Sequence, residues 1–103
     1  MNVSLDNARI PDNEDALKRD VTVQNRYGIH ARPAALLVKT ASRFPCEIFI
    51  EKNGVKVNAK SIMGLLTLEG NHGARLRLHA RGAEALAALE ALTELFAQKF
   101  FED

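Results

Sequence analysis

Polar and apolar positions alternate along four stretches of the chain and recur at helical spacing along three others. Val21 and Val23 alternate with Thr22 and Gln24, the period of a half-buried strand, until Arg26, Tyr27 and Gly28 break it. Ala34, Leu37, Val38 and Ala41 then line one face of a helix predicted from roughly His30 to Arg43, with Pro33 in the first turn, where a missing N–H is harmless. Cys46, Ile48 and Ile50 form the next alternation, and Val55, Val57 and Ala59 the one after. Asn53-Gly54 between them is the favoured pair for a two-residue hairpin turn. Ser61 is a good N-cap in front of the short apolar helix Ile62-Met63-Gly64-Leu65-Leu66, which Gly70 and Gly73 close. Ala74, Leu76, Leu78 and Ala80 predict a fourth strand, and Ala85, Leu89, Leu92 and Phe96 mark the buried face of a long last helix.

The predicted order is β-α-β-β-α-β-α. Most alternate strand positions are polar or charged, so one face of the sheet is wet and the other is covered by helices. This is the α+β class, an open-faced sandwich of a four-stranded antiparallel sheet and three helices. Residues 1–18 are rich in Asn, Asp and Glu and show no sustained apolar period, which reads as a flexible N-terminal extension ahead of one domain over 19–103.

Composition narrows the function classes. A chain of 103 residues holds one compact domain, and 47% apolar with 26% charged residues builds a core. Lys and Arg number 14 against 13 Asp and Glu, so no global field draws nucleic acid or anionic lipid. Cys46, the single cysteine, forms no internal disulfide, and the first twenty residues lack a secretory apolar region. A cytoplasmic protein with no membrane insertion is the expectation.

The segment Gly28-Ile29-His30-Ala31-Arg32-Pro33-Ala34 carries the chemistry. It sets an imidazole at the start of a helix, where unpaired N–H groups and the helix dipole bind a phosphate, and Arg32 adds charge-assisted hydrogen bonds to the same oxygens. A neutral imidazole is a usable nucleophile near neutral pH and a good leaving group once protonated. On the residues alone, a histidine that only caps the helix and one that carries a phosphoryl group both stand.

With Asn53-Gly54 and Lys60-Ser61-Ile62-Met63-Gly64-Leu65, that segment resembles the HPr family, the histidine-containing phosphocarriers of the sugar phosphotransferase system, across residues 19 to 97. The resemblance implies a phosphoryl carrier rather than an enzyme. It implies that His30 accepts a phosphoryl group on Nδ1 from phosphorylated enzyme I and passes it to an enzyme IIA, with Arg32 stabilising the phosphate. It further implies Ser61 as a regulatory site for HPr kinase/phosphorylase, an apolar docking patch of Ala35, Ile62, Met63 and Leu66, no cofactor, and a monomer. Tyr27 departs from the family, many members of which have a small hydrogen-bonding residue there. The Phe-Glu-Asp ending and the Asn-Arg-Tyr-Gly approach are similar to the nitrogen-related HPr branch. The rival reading is a binding-only regulatory module, in that branch or as a corepressor dependent on Ser61 phosphorylation.

Other groups carry less. Arg75, Arg77 and Arg81 share the wet face of one strand, but Glu47 and Glu51 are expected beside them and Phe49 is the only aromatic there, which disfavours a nucleic-acid stripe. His79 is placed on that wet face and His72 in a Gly-flanked loop. No soft ligands fall at metal-site spacing, and Cys46 reads as core. Phe100 and Phe101 are both expected to pack back on the domain.

Overall fold

Residues 16–102 are described by the structure, a computed structural model. Among them the chain forms β1 (Leu17–Thr22), α1 (Ala31–Ala41), β2 (Glu47–Lys52), β3 (Val55–Asn58), α2 (Ile62–Thr67), β4 (Arg75–Arg81) and α3 (Ala85–Ala97), then a 3-10 turn over Lys99–Phe101. The strands make one antiparallel sheet in the order β1-β4-β2-β3, the open-faced α+β architecture predicted from the alternation. Strand β1 opens at Leu17, where the sequence put the start of the domain near Arg19: Leu17 pairs with Ala80 and Lys18 with His79, since backbone pairing needs no apolar side chain. Of the rest of the expected extension, residues 1–15 lie outside the described residues.

Strand periodicity sorts the side chains. Ile48, Ile50, Leu76, Leu78 and Ala80 point inward and are buried against Ala34, Leu37 and Ala41 of α1 and Ala88, Leu89, Leu92 and Phe96 of α3. Each large side chain removed from water contributes about 1.5–3 kcal/mol, so this layer dominates the stability of the domain. Helix α3 packs on β1 and β4, and α1 bridges α3 and α2. Cys46 is buried within the same core, and burial pushes its thiol pKa up.

The β2–β3 turn confirms the Asn-Gly reading, with φ of 52° at Asn53 and 84° at Gly54, the left-handed pair that matches strand twist. Lys60, just beyond β3, spends its ammonium on the carbonyls of Phe44 (2.7 Å) and Cys46 (2.9 Å), tying β3 to the start of β2.

Two expectations are corrected on the outer face and at the end of the chain. His79 is buried rather than wet, because its neighbours in register, Lys18 and Phe49, stand on either side and its Nε2 lies 2.7 Å from Glu51 Oε1. Phe100 is fully buried against Phe96, but Phe101 is exposed, because a single left-handed turn cannot send two consecutive side chains inward.

Candidate functional site

The loop between β1 and α1 is held by backbone geometry that only glycine allows at one point. Gly28 has φ of +70°, and a Cβ there would stand 2.4 Å from the carbonyl oxygen of Gly70. That close approach lets the Ile29 N–H donate to the same oxygen at 2.8 Å and fixes where α1 begins. His30 is the residue before the helix, in extended backbone with φ of −91° and ψ of −165°, and its side chain makes no capping bond. The imidazole is therefore left for other work. The N–H groups of Ala31 and Arg32 have no partner within the helix, and Pro33 has none to offer, so the first turn presents two donors and the positive end of the dipole beside the ring.

Glu102, in the segment after α3, comes back across this helix start. Its Oε1 lies 3.2 Å from His30 Nε2 and its Oε2 3.3 Å from Arg32 Nη1. Asn25 anchors the carboxylate from behind: its Nδ2 donates to Glu102 Oε1 at 3.0 Å and to the Gly28 carbonyl at 2.8 Å. Asn25 is fully buried, and its Oδ1 has no hydrogen-bond partner. The Asn25 amide, with His30 and Arg32, holds the Glu102 carboxyl below the usual carboxylate range, against the opposing pull of desolvation. Tyr27 is exposed and meets the His30 ring edge-on with centroids 6.4 Å apart.

The second sequence motif lies at the start of α2, which packs against α1. Ser61 is the N-cap, as expected: its Oγ accepts the Gly64 N–H at 3.0 Å. Ile62, Met63 and Leu66 project outward, Met63 being 72% exposed, and Ala35 is exposed on α1. The fold thus brings His30, Arg32 and Glu102 into hydrogen-bonding reach and leaves the apolar residues of α2 on the surface.

Asn25 and Glu102 were missed by sequence reasoning. Asn25 opens the Asn-Arg-Tyr-Gly approach and Glu102 lies in the Phe-Glu-Asp ending, but nothing in those segments paired them, and 77 positions of sequence separate them. An Asn directly after the alternation ends reads as an ordinary loop residue, and no local pattern ties a distant glutamate to a histidine.

The other candidates are accounted for by pairing. Arg77 Nε lies 2.7 Å from Asp20 and holds its carboxyl below the usual range; Arg81 Nη2 lies 2.9 Å from Glu47. Two of the three arginines of β4 thereby have acidic partners, unlike a nucleic-acid stripe. Among the described residues no group of His, Cys, Asp and Glu could hold a metal ion, and no helix is long and apolar enough to cross a membrane.

Known proteins resemble this chain in sequence and fold. Residues 17–98 match the family model described as the PTS HPr component phosphorylation site. The phosphocarrier protein HPr of Treponema pallidum is 46% identical over 85 residues, covering 82% of this chain and 97% of that protein. The HPr-like protein Crh of Halalkalibacterium halodurans is 50% identical over 76 residues, covering 74% and 90%. The crystal structure of HPr-C-His from Thermoanaerobacter tengcongensis superposes with a TM-score of 0.82 at 44% identity, covering 84% of this chain and 98% of that one. With the family model, sequence identity and fold in agreement, the chain belongs to the HPr family of phosphocarrier proteins of the phosphotransferase system.

Proposed function

We propose that His30 is the phosphoryl acceptor of this phosphocarrier, taking the group from phosphorylated enzyme I and passing it to an enzyme IIA. The observation that carries the reading is the exposed imidazole at the start of α1, free of any capping bond, with the Arg32 guanidinium in reach of the same carboxylate. A phosphoryl group on Nδ1 would sit beside the free N–H groups and the positive end of the helix dipole. Arg32 stabilises the charge on the transferring oxygens.

Ile62, Met63 and Leu66, with Ala35, form the docking patch in this reading. A long, polarizable methionine suits recognition of more than one partner. Ser61 at the edge of that patch is the regulatory site: phosphate there is welcomed by the helix start and places charge where a partner docks. The charged rim of the patch is Arg32 and Lys39, since Lys60 is committed to backbone carbonyls. The His30–Arg32 pair argues against a binding-only module, which needs neither residue.

Incubation with enzyme I and labelled phosphoenolpyruvate tests the proposal. Acid-labile, base-stable label on this chain is expected, and its loss in His30→Ala with the fold intact. Undiminished labelling of His30→Ala would overturn the assignment.

A further inference from the structure

We propose that Glu102 is a positioning residue for phosphoryl transfer, holding the His30 ring by Nε2 so that Nδ1 attacks, and countering the positive charge the ring acquires. The inference rests on His30 being the acceptor, as proposed above. It starts from a contact between side chains 72 positions apart, in which Glu102 Oε1 lies 3.2 Å from Nε2. A carboxylate only accepts hydrogen bonds, so a neutral imidazole in this contact carries its proton on Nε2 and its lone pair on Nδ1. The ring is held by one nitrogen and presented by the other.

Charge follows from the bonds made and broken. The Nδ1 lone pair forms a bond to phosphorus, the bond from phosphorus to the donor protein breaks, and the donor departs with that electron pair. The proton on Nε2 stays, so the ring becomes cationic while the phosphoryl group keeps its negative charge. A carboxylate on Nε2 then faces a full positive charge where it previously faced a neutral N–H. Its interaction strengthens along the reaction, the condition for accelerating a step. The carboxylate does not oppose the incoming phosphoryl group directly, because the two nitrogens point away from each other across the ring. Its other oxygen rests on Arg32 Nη1, which uses a fraction of the five guanidinium donors.

The carboxylate is also built into place. Asn25, fully buried, gives it an N–H donor from the protein side, and Phe100, fully buried, fixes the turn two residues before it. Glu102 itself is only 19% exposed. A surface glutamate that met His30 by chance would have neither support.

The test compares Glu102→Gln and Glu102→Ala with the wild-type full chain. One readout is the initial rate of labelling by enzyme I and phosphoenolpyruvate; the other is the nitrogen and proton NMR spectrum of the His30 ring. Glutamine keeps an oxygen that accepts from Nε2–H but removes the charge, so its ring spectrum should stay near wild type while labelling slows about tenfold. Alanine should slow labelling at least as much and shift the Nε2 proton signal upfield as its acceptor is lost. Wild-type labelling rates in Glu102→Gln, or an Nε2 signal unmoved in Glu102→Ala, would overturn the role. Wild-type chain that takes no label at all would overturn the carrier reading of His30, and this role with it.

Discussion

Phe100 packs edge-on against Phe96, ring centroids 4.9 Å apart and planes at 69°, and this contact sets where Glu102 lies relative to His30. Lys99, Phe100 and Phe101 all have φ between 53° and 59°, left-handed backbone that costs a non-glycine residue about 1–2 kcal/mol each. Burial of the Phe100 ring offsets that cost, and the turn it stabilises aims Glu102 at the helix start.

Phe100→Ala should therefore act at two levels. Removal of a fully buried ring costs about 3–5 kcal/mol, read by urea or thermal denaturation. In the protein that remains folded, labelling of His30 should fall with the loss of the Glu102 contact. A stability loss below about 1 kcal/mol would show that the ring is not part of the core.

Ser61 separates capping from regulation. Ser61→Ala removes the oxygen that accepts the Gly64 N–H and should cost about 1 kcal/mol. Ser61→Asp keeps a good cap and adds charge beside Ile62 and Met63, so stability should hold while enzyme I labels the variant more slowly. Equal labelling rates for the two variants would leave Ser61 as a cap alone.

Met63 tests the docking patch without disturbing the core. At 72% exposure, Met63→Glu should change stability by no more than about 0.5 kcal/mol. Titration with enzyme I followed by NMR should lose the perturbations of Ala35, Ile62 and Leu66 that the wild type is expected to give. Undiminished binding by Met63→Glu would move the docking surface elsewhere.

Acid should open the Glu102 contact late. Its carboxyl lies below the ordinary value of 4.5, held there first by the Asn25 amide and then by His30 and Arg32. A folded-state pKa below the unfolded one contributes stability that is present in full above the ordinary value and is lost as pH falls through the folded one. The Glu102 side-chain carboxyl carbon, followed by NMR, should thus titrate with its midpoint below 4.5. A transition centred above that value would contradict the contact.

The legible parts of this molecule were those written in local pattern. Ala34, Leu37 and Ala41 announced α1 by their spacing, Asn53-Gly54 its turn by its backbone preference, and Ser61 its helix by the chemistry of a cap. His79 was misplaced because alternation reports the face of a strand and not what stands beside it there; Glu51 and Phe49 close over it from another strand. At the site, His30 and Arg32 were visible as a motif. Asn25 and Glu102 stood in two noted segments, but their pairing was not legible, since the bond between them depends on where α3 ends in space, a consequence of packing that no sequence period encodes.

The seclusion of Cys46 gives this protein a chemically silent background for attached reporters. Its thiol is the only one in the chain, is 2% exposed, and is harder to ionise than a free cysteine, so alkylating reagents at neutral pH meet almost no thiolate. A cysteine introduced at an exposed position such as Leu86 would react alone. A fluorophore or spin label there, on α3 and away from both motifs, would follow complex formation through slowed tumbling without first removing a residue from the core.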